Sequence, residues 1–131
     1  MERINVTIDW INNYAAGCAI LPVVATEDTL EDVKKSFTEA FNWQLQAMKE
    51  DGDEIPTELQ GEFELKFNLT NRALLHYYDG ILSRKAISHI TGINEKQLGH
   101  YIQGVRTPKQ ETINKIINGV HNLGKDLLSV G

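Results

Sequence analysis

The stretch SRKAISHITGINEKQLGHYIQGVRTP, Ser83 to Pro108, decides how the chain is read. Ser83 is a strong N-cap, and Ile87 and Ile90 give the helix after it an apolar face. Gly92 falls where a helix must end in a left-handed residue for the chain to turn sharply. Ser88, four residues earlier, is small, which suits two helices crossing steeply. Ile93 plugs the turn, and Asn94 caps a second short helix carrying Glu95, Lys96, Gln97, His100 and Tyr101. Leu98 and Ile102 share one side of that helix, which leaves Glu95, Lys96, Gln97 and His100 facing outward. Gly104 ends it, and Thr107 with Pro108 is expected to cap and open the next helix. In this order the signals describe a helix-turn-helix for duplex DNA.

The frame is filled by Ile87, Ser88, Gly92, Ile93, Leu98, Gly104, Arg106 and Pro108. Through these residues Leu82 to Val130 resembles a helix-turn-helix of the lambda-repressor-like (XRE) type. Ile102 stands where many members have an acidic residue, and Gly99 lies within the recognition helix at a cost of about 1 kcal/mol relative to Ala. The resemblance implies that Glu95, Lys96, Gln97 and His100 meet base edges. It also implies that Arg84, Lys85, Arg106, Thr107 and Lys109 contact phosphates.

The charge of the chain changes sign ahead of that motif. Residues 1–69 hold 5 Lys and Arg against 14 Asp and Glu, a net of −9, and residues 70–131 hold 8 against 4, a net of +4. Two modules with different partners are therefore expected, 1–69 and 70–131. Across 131 residues no apolar run is long enough to span a membrane and no signal pattern opens the chain, so a cytoplasmic protein is expected. The lone Cys18 excludes an internal disulfide and a Cys-rich zinc site.

In the first module Ile4, Val6, Ile8 and Trp10 alternate with polar residues, the period of a half-buried strand. Tyr14 to Ile20 is predicted as a second strand and Pro22 to Ala25 as a short third. Thr29 caps a long helix whose Leu30, Val33, Phe37, Phe41, Leu45 and Met48 recur on one face, with Asp32 making a partial capping box. Asp51-Gly52-Asp53 stops it, and Pro56 and Gly61 mark a loop. Glu62 to Phe67 alternates again, with Phe63, Leu65 and Phe67 on one face. The expected fold class is α+β, a small β-β-β-α-β domain followed by an all-α domain.

This half resembles the N-terminal domain of HicB-type antitoxins, a partial ribonuclease H-like fold. The matching residues are the early strand followed by Tyr14-Ala15-Ala16, Ala25-Thr26-Glu27-Asp28-Thr29-Leu30-Glu31-Asp32, Glu39-Ala40, and the Gly52…Ile55-Pro56 exit. Where members often carry a Pro-Gly turn, this chain has Ala19-Ile20-Leu21-Pro22. The resemblance implies an antitoxin that silences a small, basic, RNA-cleaving HicA-like toxin with one domain and represses the shared operon with the other. Candidate toxin contacts are the acidic groups Glu27, Asp28, Glu31 and Asp32, and Asp51, Asp53 and Glu54. The alternative is a stand-alone transcription regulator whose first domain senses a ligand or dimerises.

Catalysis is not expected. Asp9 and Glu39 are the only carboxylates on suitable elements for a two-metal nuclease site, and both read as solvated. His76, His89, His100 and His121 lack metal-ligand spacing, and no phosphate loop or HExxH-like pair occurs. No cofactor or metal is expected. In the second module Thr70 caps Asn71 to Tyr78, whose Leu74, Leu75, Tyr77 and Tyr78 are assigned to the core. After Pro108, Ile113, Ile116, Ile117, Val120 and Leu123 form an apolar stripe that Gly124 is expected to end or break. Leu127, Leu128 and Val130 either close the core or reach a second chain. Such small modules gain burial by oligomerising, and a dimer or tetramer would present paired helices to a two-fold operator.

Overall fold

The computed structural model describes all of residues 1–131. Its central strand is β1 (Glu2–Trp10), where the alternation buries Ile4, Val6 and Ile8 and leaves Arg3, Asn5 and Thr7 exposed. Strand β2 (Tyr14–Gly17) pairs with it antiparallel, setting Ile8 opposite Ala16 and Trp10 opposite Tyr14. Strand β3 (Val24–Glu27) pairs antiparallel with β2. Strand β4 (Phe63–Leu69) lies parallel to β1 on its other side, giving the order β3-β2-β1-β4. With five helices, the fold is mixed α+β.

Two strand boundaries differ from expectation, and the cause is local. The second strand ends at Gly17, because Cys18 Sγ donates to the Leu21 carbonyl and the chain bends. The Val23 N–H then closes a tight turn onto the Leu21 carbonyl, which drops Leu21 and Val23 into the core. Pro22 has no N–H to give a ladder, so pairing resumes only at Val24, opposite Gly17. The third strand is therefore Val24–Glu27 and not Pro22–Ala25.

Helix α1 (Leu30–Glu50) begins where Thr29 Oγ1 accepts from the Asp32 N–H at 3.1 Å. Leu30, Val33, Phe37, Phe41 and Leu45 are buried, with Met48 partly so. Phe37 meets Phe67 edge-on at 6.2 Å between ring centroids, and Phe41 lies 5.7 Å from Phe63. Truncating either buried ring to Ala costs about 3–5 kcal/mol in comparable cores. The loop after α1 holds a single 3₁₀ turn, Thr57–Leu59, which plugs Leu59 into the same core at 1% exposure.

Asp9 is not the solvated residue expected. Its carboxylate accepts from Arg72 Nη2 at 2.6 Å, from the Thr70 hydroxyl at 2.7 Å and from the Trp10 N–H at 2.8 Å. Thr70 Oγ1 in turn accepts from the Ala73 N–H and caps α2 (Asn71–Asp79). The end of β1 is thus tied to the residues that leave β4. Burial opposes the charge on Asp9, but the hydrogen bonds from Arg72, Thr70 and Trp10, with the Arg72 charge, outweigh it and lower its pKa.

The chain divides into compact units at Met1–Ala73 and Leu74–Gly131. The division falls inside α2, a few residues beyond the expected 69/70 boundary. In the second unit Leu75 is buried and Leu74 and Tyr78 are partly so, whereas Tyr77, assigned to the core from its spacing, is 37% exposed. Helix α3 (Arg84–Thr91), α4 (Glu95–Ile102) and α5 (Gln110–Leu128) complete it around Ile87, Ile93, Leu98, Tyr101 and Ile116.

Helix α5 departs from its expected limits at both ends. It starts two residues late, because Lys109 is extended and the first helical bond runs from the Ile113 N–H to the Lys109 carbonyl. Thr107 is therefore not its cap and Pro108 not its first residue. It also continues through Gly124, a tolerated cost of about 1 kcal/mol. Ile117, placed in the apolar stripe, is exposed, and Leu127, Leu128 and Val130 do not close the core. They leave an apolar groove of about 140 Å³ lined by residues including Leu74, Tyr78, Leu82, Ile90, Val120 and Leu123. No helix is long and apolar enough to cross a membrane.

Among the glycines of the second unit, the closest approach is at Gly119. A β-carbon there would stand 2.3 Å from the Ile90 carbonyl oxygen and 3.0 Å from the Thr91 Cα. Backbone cannot swing away as a side-chain tip can, so α5 needs glycine where it crosses the end of α3.

Two stability predictions follow from these contacts. Gly119→Ala should destabilise the second unit by about 1–3 kcal/mol, despite the better helix propensity of Ala. Gly124→Ala, with nothing within 4 Å of its added carbon, should be neutral or stabilise by up to about 1 kcal/mol. Thermal melts followed by circular dichroism separate the two variants. For Asp9, the folded chain holds the carboxyl below its ordinary value of 3.8, so the ionised form contributes stability above that pH. The contribution is lost as pH falls through 3.8 toward the lowered folded value. In urea titrations the gap between wild type and Asp9→Asn should hold steady from about pH 7 to about pH 5 and shrink below about pH 4.

Candidate nucleic-acid interface

The geometry of α3 and α4 is built by short-range hydrogen bonds. Ser83 Oγ accepts from the Ala86 N–H and starts α3. Gly92 ends it with φ of 75°, its N–H donating to the Ser88 carbonyl. Thr91, 7% exposed, donates through its hydroxyl to the Ile87 carbonyl and accepts from the Ile93 N–H. That hydroxyl spans the turn, and Ile93 packs beneath it at 4% exposure. Asn94 Oδ1 then accepts from the Lys96 N–H at 2.8 Å and starts α4.

The far end of α4 closes as firmly. Gly104 has φ of 75°, its N–H donates to the Tyr101 carbonyl, and the Val105 N–H donates to the His100 carbonyl. This pair of bonds is the Schellman arrangement that satisfies the last carbonyls of a helix. Val105 to Lys109 therefore leaves α4 in a defined direction, with Val105, Arg106, Thr107 and Lys109 exposed.

Of the four residues expected to meet base edges, Glu95 and Lys96 are exposed, and Gln97 and His100 are partly buried. Gln97 Nε2 donates to the Tyr101 hydroxyl, an interaction that orients its amide. Tyr101 itself is core, at 6% exposure. Among the expected phosphate contacts, Lys85, Arg106, Thr107 and Lys109 are exposed and outside any ion pair. Arg84 differs. Its Nε donates to Asp79 Oδ1 at 3.0 Å, which raises its pKa, and its guanidinium lies over Gly99. A β-carbon on Gly99 would come 2.8 Å from Arg84 Nη1, so the glycine within α4 makes room for that side chain.

The Asp79–Arg84 pair, the Thr91 hydroxyl and the Gln97–Tyr101 bond had not been anticipated. Only the last has a usual sequence signal, two polar groups at helical i,i+4 spacing.

The candidate toxin contacts of the first unit occupy two places. Glu27, Asp28, Glu31 and Asp32 come together at the start of α1, where Glu27 accepts from the Ser36 hydroxyl and Glu31 and Asp32 lie in the first turn. Asp51, Asp53 and Glu54 are exposed just past its other end. A helix of 21 residues separates the two groups by about 30 Å, so they do not form one patch. Glu39 is exposed on the same helix, and no three His, Cys, Asp or Glu side chains are grouped to hold a metal ion.

No family model matches the chain, and neither the curated proteins nor the solved structures searched contain a match to it.

Proposed function

We propose that the chain is a HicB-type antitoxin, with an acidic, partial ribonuclease H-like first unit that neutralises a small, basic, RNA-cleaving toxin. Its basic second unit is a helix-turn-helix that binds an operator in duplex DNA and represses the shared operon. The observation that carries this reading is the α3–Gly92–Ile93–Asn94–α4 arrangement, which leaves Glu95 and Lys96 exposed, with Lys85, Arg106 and Lys109 also exposed in the same unit. The strand-strand-strand-helix-strand succession, with the last strand parallel to the first, supports the fold of the first unit.

In this reading α4 lies in the major groove, where Lys96 and Gln97 meet purine edges and Glu95 accepts from cytosine or excludes wrong sites. Lys85, Arg106, Thr107 and Lys109 hold phosphates on either side. Arg84 contributes less than its charge suggests, because Asp79 already neutralises it. Leu127, which lines the apolar groove of the second unit, and the exposed Leu128 and Val130 support self-association through the C-terminal end of α5 and the residues after it. A dimer so formed presents two copies of α4 to a two-fold operator.

The test is a gel-shift titration with the duplex that precedes the reading frame. Lys96→Ala should weaken binding about tenfold or more and relax sequence preference. Arg106→Ala should weaken binding to all duplexes alike and reduce the salt slope by about 1. Arg84→Ala should reduce that slope less than Arg106→Ala does. Unchanged retention for both Lys96→Ala and Arg106→Ala would mean that this face does not read DNA.

A further inference from the structure

Helix α1 carries a second face that the fold does not use. Its core side is complete, since Leu30, Val33, Phe37, Phe41 and Leu45 are all buried. Trp43 lies on the opposite side and is 82% exposed, the largest side chain left to solvent in the first unit. Successive residues step about 100° around a helix, so residues at i−4, i+4 and i+7 from Trp43 share its stripe. These are Glu39, Ala47 and Glu50, with Asp32 on the same line nearer the start. Lys34, Lys35 and Lys49 all fall more than about 60° away. Glu39 and Glu50 lie about 6 Å and about 10 Å along the axis from Trp43, one on each side. Asp32, Glu39 and Glu50 are exposed and none is in an ion pair, although Glu50 accepts from Gln46.

An indole ring between unpaired carboxylates is the pattern of an interface anchor with a charged rim. Tryptophan in a desolvated pocket dominates many protein interfaces, and rim charges govern encounter and choice of partner. We propose that this Trp43-centred face of α1 is where the acidic unit grips its protein partner. The partner is a small basic protein with an apolar cleft for the indole and Lys or Arg around its mouth. Local charge selects that occupant. Three carboxylates on the stripe repel nucleic acid and anionic membrane, and a second copy would bring like-charged stripes together. The acidic groups at the two ends of α1 then act as outlying steering charge, and the contact runs along the helix between them.

The proposal rests on the antitoxin reading, and its test is arranged so that the two fail differently. The full chain is titrated by calorimetry with each small basic protein encoded by a reading frame that adjoins its own, and the absence of any such frame counts as absence of the partner. Trp43→Ala should weaken binding at least about thirtyfold. Its melting temperature and DNA retention should stay unchanged, because the side chain is 82% exposed and outside the core of the first unit. Glu39→Gln with Glu50→Gln should slow association and flatten its salt dependence. Val24→Ala, at a 72% exposed apolar position on β3, serves as the control and should bind as wild type does. Tight wild-type binding that Trp43→Ala alters by less than about threefold, far below the hot-spot range, overturns the proposal and leaves the antitoxin reading standing. Absence of wild-type binding overturns both. If Trp43→Ala instead changes the sedimentation of the chain alone, a second copy covers the face and the proposal is overturned.

Discussion

Where α5 crosses the end of α3, the backbones are so close that a β-carbon at Gly119 would stand 2.3 Å from the Ile90 carbonyl oxygen. The second unit depends on this approach. It seats Ile116 under α3, at 1% exposure, and brings α5 against the turn at Thr91. Thr91 and Gly92 can then hold α4 at a fixed angle through one hydroxyl and one left-handed residue. A bulkier residue at 119 would push α5 off the helix pair, and the outward face of α4 would lose its support.

The first unit is organised by a different constraint. Strand β1 is hydrogen-bonded on both edges, antiparallel to β2 and parallel to β4, so its alternation decides which face of the whole sheet α1 covers. A one-residue slip would turn Ile4, Val6 and Ile8 outward. Asp9 reinforces that register at the end of the strand by holding Thr70 and Arg72. Most of the other carboxylates that give this unit its charge lie on exposed positions. Each unit thus keeps most of its charge on surfaces separate from its core.

Local chemistry made much of this legible in the sequence. The alternation of β1, the caps at Thr29, Thr70, Ser83 and Asn94, the left-handed Gly92 and the helix end at Gly104 all act within a few residues, and each is found in the structure. The misreadings arose where distant contacts overrode local preference. Pro22 looked like the start of a strand, but Leu21 and Val23 were needed in the core. Tyr77 and Ile117 sat at apolar spacing on helices whose buried faces turned out narrower. Leu59 and Gly119 carried no local signal, because their importance comes from elements far away in sequence. At the candidate interface, spacing was sufficient to turn Lys96 outward, and the resemblance to a helix-turn-helix is what nominated Lys96 and Arg106 as contacts. Neither revealed that Asp79 engages Arg84, since nothing in a sequence says which of several carboxylates a guanidinium will meet.

The central claim, that α3 and α4 form a reader of duplex DNA, is tested most directly by the salt dependence of binding. Fluorescence anisotropy of a labelled duplex preceding the reading frame, titrated with the full chain at several salt concentrations, gives that dependence beside a scrambled duplex of equal length. The account predicts a linear fall of log K with log salt at a slope reflecting several neutralised phosphates, with the native duplex bound at least about a thousandfold more tightly than the scrambled one. Affinity independent of salt, or equal for the two duplexes, would contradict it.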